Sequence, residues 1–109
     1  MFSISSVASS APICSLNSFP KHWELKIQDE ERNTLAECPD LSTCVDQLRE
    51  FINAGDCYNS LKPGPTYCDT GIVGTGERLI RGNAIIADWL TGQQVDDLKQ
   101  ILQNRGLCR

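Results

Sequence analysis

The stretch Trp23-Glu24-Leu25-Lys26-Ile27-Gln28-Asp29 alternates apolar and polar residues throughout. In an extended chain this puts Trp23, Leu25 and Ile27 on one face and Glu24, Lys26 and Gln28 on the other, as in a strand covered on one side and wetted on the other. Such a strand needs an amphipathic element over its apolar face.

Two segments can supply the cover. Leu41, Cys44, Val45, Leu48, Phe51 and Ile52 recur at helical spacing. Asp40 or Ser42 can accept from the free N–H groups at that helix's start, and Gly55 can end it. A second helix is expected over residues 93–105, where Thr91 and Gln94 have capping-box spacing and Val95, Leu98, Ile101 and Leu102 form the apolar stripe. Asp96 and Asp97 are expected in its first turn, Arg105 in its last, and Gly106 at a left-handed cap.

Between the helices, Pro63-Gly64-Pro65 is turn chemistry and residues 66–73 predict a strand. Gly74 and Gly76 bend the chain toward Arg78-Leu79-Ile80, and Arg81-Gly82-Asn83 turns it again. The run from Ala84 to Leu90 fits helix or strand by periodicity, and its β-branched residues, Trp89 and flanking glycines favour strand. The expected order is β-α-β-β-α with four or five strands. This is an α+β fold, a two-layer α/β sandwich with a mainly antiparallel sheet and both helices on one face, with Trp23 and Trp89 packed in its core.

Six cysteines, Cys14, Cys38, Cys44, Cys57, Cys68 and Cys108, span the chain with no CxxC pair, and His22 is the sole histidine. Zinc sites are built from close ligand pairs, so no metal is expected. Three disulfides are expected instead, and with them an oxidising, extracellular compartment. Fifteen pairings remain open. A chain of 109 residues buries roughly two thirds of its unfolded surface, so cross-links add useful stability.

The start, MFSISSVASSAPIC, has neither a basic n-region nor a long apolar run, so neither an intact signal peptide nor a membrane span is expected there. Residues 1–13 are expected to be a flexible leader or a mature N-terminus, with Met1 native or added after signal removal. Residues 14–109 form one disulfide-stabilised domain. Ten basic and fourteen acidic residues are interspersed, net charge −4, which argues against nucleic-acid binding and membrane insertion.

Catalytic constellations are sparse. No G-x-S-x-G elbow or Lys-bearing phosphate loop is present, and His22 has no nucleophile motif beside it. No catalytic residue and no cofactor is therefore expected. Tyr58 and Tyr67 flank the Pro63-Gly64-Pro65 turn, while Arg78 and Arg81 bracket Leu79-Ile80 in a region expected to be rich in loops. These four are the candidate target-binding side chains, since recognition groups often project from loops on a rigid frame.

Several segments together resemble the killer protein four family, small secreted disulfide-rich toxins first associated with a virus-infected smut fungus. Ile13-Cys14-Ser15-Leu16 ahead of the opening stretch is similar to that family's cysteine segment leading into its first strand. Tyr67-Cys68, Gly82-Asn83-Ala84-Ile85-Ile86-Ala87 and residues 95–108 resemble its later strands and closing helix. The resemblance implies an α/β sandwich and an extracellular cytotoxin, with blockade of calcium channels and a basic side chain near the Gly-Asn strand. That basic position falls near Glu77, the chain is acidic, and the family's terminal strand after the last helix is not expected here.

The expected function is thus that of a small secreted effector or killer-toxin-like protein. It would act as a monomer on a cell-surface or host protein target, with a cation channel as one target class. The alternatives are a small hydrolase or ligand-binding protein with a site near Trp89, Asp88 and His22, and a structural wall component.

Overall fold

The computed structural model describes residues 11–109, so the expected leader lies outside the described residues over positions 1–10. The elements run β1 (Cys14–Asn17), β2 (Lys26–Asp29), β3 (Thr34–Glu37), α1 (Leu41–Ala54), β4 (Cys68–Val73), β5 (Gly76–Arg81), β6 (Ala84–Leu90) and α2 (Gly92–Asn104). The six strands form one mixed sheet in the order β3-β2-β1-β6-β5-β4. Antiparallel ladders join β1–β2–β3 and β4–β5–β6, and a parallel pairing of β1 with β6 fuses the two halves.

The helix boundaries follow from local chemistry. The Asp40 carboxylate accepts from Thr43 N at 2.7 Å, and that hydrogen bond holds its pKa below the ordinary value. Gly55, at φ 79°, donates to carbonyls of the last turn, a conformation open to glycine and costly to residues with a Cβ. At α2, Thr91 and Gln94 satisfy each other's backbone N–H groups in a capping box. That helix begins one residue earlier than expected, which moves Asp96 and Asp97 out of its first turn. Arg105 caps the other end and reaches across to Asp46 and Ser42 on α1.

The core joins Leu16, Ile27, Leu79, Ile86 and Leu90 of the sheet to Val45 and Leu48 of α1 and Val95, Leu98 and Leu102 of α2. The helices touch each other, α1 packing on β1 and β2 and α2 on β5 and β6. Among the described residues all six cysteines are paired, as Cys14–Cys57, Cys38–Cys44 and Cys68–Cys108. A last backbone rung forms where Arg109 donates to Thr66 O and Cys68 donates to Arg109 O.

Three expectations need correction. Trp23 is 67% exposed: a turn closed by Glu24 N on Lys21 O delays the strand to Lys26, so only Ile27 of the alternating trio is wholly buried, with Leu25 packed at the core's margin. β1 and β3 arise in segments with no strand expected, and the parallel β1–β6 pairing makes the sheet mixed. Arg78 and Arg81 lie within β5 rather than in a loop.

Candidate functional site

Alternation along the strands sorts side chains between the two faces of the sheet. Cys14 and Leu16 of β1 and Ile27 of β2 enter the core, so Ser15, Asn17 and Gln28 are turned the other way. There they line a groove of about 590 Å³, whose walls come from the β2–β3 turn, the segment around Tyr58 and the β6 residues Ile85, Asp88 and Trp89. A volume of this size falls in the range of small-ligand sites.

Tyr58 stands at one end, 59% exposed. Its backbone is fixed from three sides. Tyr58 N donates to Pro12 O and Tyr58 O accepts from Cys14 N, Cys57 is bonded to Cys14, and Asn59 is buried. The Asn59 amide donates to both Cys14 O and Ile85 O while its oxygen accepts from Leu61 N. One asparagine therefore ties this loop to two strands at once.

Trp89 stands at the other end, where β6 carries one extra residue against β5: Leu79 pairs with Ala87 and Glu77 with Leu90. The bulge puts Trp89 at φ 62°, a left-handed conformation that costs a bulky residue about 1–3 kcal/mol and persists only when its surroundings enforce it. They do so through Ser18 Oγ, which donates to Trp89 O at 2.6 Å, and through Phe19, whose ring centroid is 4.8 Å from that of the indole. Gly74 and Gly76 accept the indole and its backbone from the far side; a Cβ at Gly76 would come within 2.8 Å of Trp89 Cα.

Charge within the groove is largely self-compensated. Asp88 accepts from Arg78 Nε at 2.6 Å and from its Nη2 at 3.2 Å, and the carboxylate pushes the Arg78 pKa further up. Asp29 accepts from the Asn33 side chain and from the backbone of Asn33 and Glu31, which holds its carboxyl below the usual range. That cradle shapes the turn bearing Arg32, at φ 67°, whose guanidinium lies 5.4 Å from the Phe19 ring centroid, within reach of a cation–π attraction.

The four expected recognition side chains are scattered. Tyr58 lines the groove, and Arg78 adjoins it through Asp88. Tyr67 is exposed just ahead of β4 and does not line the groove, and the Arg109 guanidinium lies 5.4 Å from its ring centroid. Arg81 is 5% exposed; its guanidinium donates to Leu107 O and Ser60 O, so it braces the interior instead of facing a partner. Of the trio weighed for a hydrolase or ligand carrier, Asp88 and Trp89 line the groove. His22 does not, and its ring meets Trp23 edge-on.

Sequence reasoning missed Ser15, Asn17, Phe19, Gln28 and Arg32. Only the alternation around the buried Cys14 and Leu16 could have flagged the first two. Among the described residues no cluster of His, Cys, Asp and Glu able to hold a metal is formed, and no helix is long and apolar enough to cross a membrane. No protein-family model, curated protein or solved structure matches the chain.

Proposed function

We propose that this is a secreted binding protein, an effector or killer-toxin-like molecule that engages a cell-surface or host target through the groove on its sheet. In this proposal the fold is a two-layer sandwich with both helices on one face, which leaves the opposite face for recognition. The observation that carries it is the pair of aromatic side chains, Tyr58 and Trp89, held at the groove's two ends by a disulfide, a buried asparagine and an enforced backbone conformation. Preorganisation of this kind lowers the entropy cost of binding. Three disulfides are typical of extracellular proteins.

No catalytic step is assigned to any residue. A cation channel stays within the proposed target class on the resemblance alone, and the acidic balance of the chain disfavours direct occupation of an acidic channel mouth. The test is to label the purified, oxidised protein and measure its binding to intact fungal cells and plant tissue, alongside growth inhibition. Saturable surface binding that is lost on reduction and weakened by Tyr58→Ala is expected. Absence of saturable binding to any surface tested would overturn the proposal.

A further inference from the structure

The chemistry of the groove specifies more than a place to bind. Its floor is β1, with Ser15 and Asn17 pointing out of it and Gln28 beside them on β2. Ser60 and Asn83 add a hydroxyl and an amide at the margin. Asn17 spends its oxygen on Phe19 N at 2.7 Å, leaving its amide hydrogens as donors toward the groove. Gln28 donates from its nitrogen to Thr34 at 3.3 Å, leaving its oxygen as an acceptor. Hydroxyls serve as both.

The two aromatic side chains bound this polar floor. Cys14 accompanies Tyr58 and Asn17 pairs with Asp88 next to Trp89, so the backbone positions that bear the rings are separated by about the length of β1, roughly 10 Å at the rise of a strand. A ligand filling the trough is thus flat at both ends, studded with neutral donors and acceptors between, and no longer than a short oligomer.

Charge narrows the class further. Asp88 is matched by Arg78, and Glu30 and Arg32 are opposite charges on one hairpin, which leaves the Asp29 carboxylate, held by the N–H groups of its own turn, as the one charge without a counter-ion among these groups. A groove with a single residual charge offers little field to draw a polyanion or a polycation. Polyhydroxylated rings, with apolar faces to stack on aromatics and hydroxyls around the rim, fit all three features.

We infer that the groove between Tyr58 and Trp89 is a binding site for an uncharged oligosaccharide, a disaccharide or trisaccharide unit of a surface glycan. This rests on the binding function proposed above and names the chemistry of its target.

The test uses the full oxidised chain carrying Trp23→Phe, which leaves Trp89 as the sole tryptophan reporter. It is titrated with chitotriose, laminaritriose, cellotriose and mannotriose, and with trigalacturonic acid and chitosan trimer as anionic and cationic comparators. At least one neutral trisaccharide is expected to give a saturable fluorescence change below about 10 mM. Tyr58→Ala, an exposed position that can be truncated without opening the core, is expected to weaken it about tenfold or more. Both charged trimers are expected to bind more weakly than the best neutral one. No saturable change with any neutral trisaccharide, an effect indifferent to Tyr58→Ala, or tighter binding of a charged trimer would each overturn the inference. The two proposals fail separately: surface binding that depends on Tyr58 yet is not competed by free trisaccharide removes the glycan and keeps the binding function.

Discussion

The Trp89 indole lies against Gly74, in the turn between β4 and β5, so closely that a Cβ there would overlap the ring. Gly74 is itself at φ 54°, so substitution meets two penalties, a left-handed backbone and a clash with a side chain already locked by its own bulge. Gly55 isolates the first: its φ is 79° and a Cβ there meets nothing within 4 Å. Gly55→Ala is expected to cost about 1–2 kcal/mol. Gly74→Ala should exceed it by about 1–3 kcal/mol for overpacking. Urea unfolding of both variants checks this, and equal losses would mean that the indole yields freely and is not fixed at the groove's end.

The three disulfides should not be equal in effect. Cys14–Cys57 and Cys68–Cys108 close separations of 43 and 40 residues, and Cys38–Cys44 only 6. In the chain-entropy account, removing either long bridge as a double serine variant costs roughly 4 kcal/mol and removing the short one roughly 2 kcal/mol. The Cys14–Cys57 variant has a further expected consequence. It frees the loop bearing Tyr58, so binding at the groove should weaken more than with the Cys68–Cys108 variant of similar stability loss. Denaturation midpoints and groove affinity measured on all three separate the entropic effect from the positional one.

How much of this was legible in the sequence depends on whether the deciding interaction is local. The α1 boundaries were, because Asp40 and Gly55 act on their own neighbours, and Ala84–Leu90 was, because β-branched residues and flanking glycines mark it. Trp23 was not. Its alternation with Leu25 and Ile27 is real, but a local turn over Lys21–Glu24 stops the strand short and leaves the indole in water. β1 is four residues long, pairs with β2 along its whole length, and becomes an interior strand because β6, some seventy residues later, lies on its other side. The groove depends on that pairing, so local alternation could turn Ser15 and Asn17 outward but could not place them beside Ile85 and Asp88. Arg81 carried one that went unused: two residues after Leu79 in an alternating run, it shares the inward face.

Asp40 gives α1 a pH-dependent start. Its folded pKa is depressed below 3.8 by the Thr43 N–H, so the stability it contributes is whole above the unfolded pKa and drains away as pH falls through the folded one. Asp29, depressed by Asn33 and its turn, acts in the same direction. Thermal melts from neutral pH to about pH 2 should therefore fall below about pH 4. Asp40→Asn, which preserves a capping acceptor, should flatten part of that fall. An unchanged acid limb in Asp40→Asn would show that the cap is not a source of the acid sensitivity.

Arg78 and Arg81 sit three residues apart on β5 and should behave oppositely. Arg81 is a buried cation whose donors satisfy Leu107 O and Ser60 O, so it clamps the segment after α2 and the loop after Tyr58 onto the strand. Arg81→Ala leaves those carbonyls without a donor and opens a void, and a loss of about 2–4 kcal/mol is expected. Arg81→Lys should recover only part of it, since one ammonium on a flexible stem does not reproduce the planar fork that spans both carbonyls. Arg78 is different: its partner Asp88 is shared with the groove, and both side chains keep some solvent contact. Arg78→Ala should cost no more than about 1 kcal/mol, while unmasking the Asp88 carboxylate beside Trp89. The groove then becomes acidic, and chitosan trimer should bind it more tightly than it binds the unaltered protein. Guanidinium unfolding and the same fluorescence titration measure both halves; similar stability losses for the two alanine variants would contradict the assignment of Arg81 as the interior clamp.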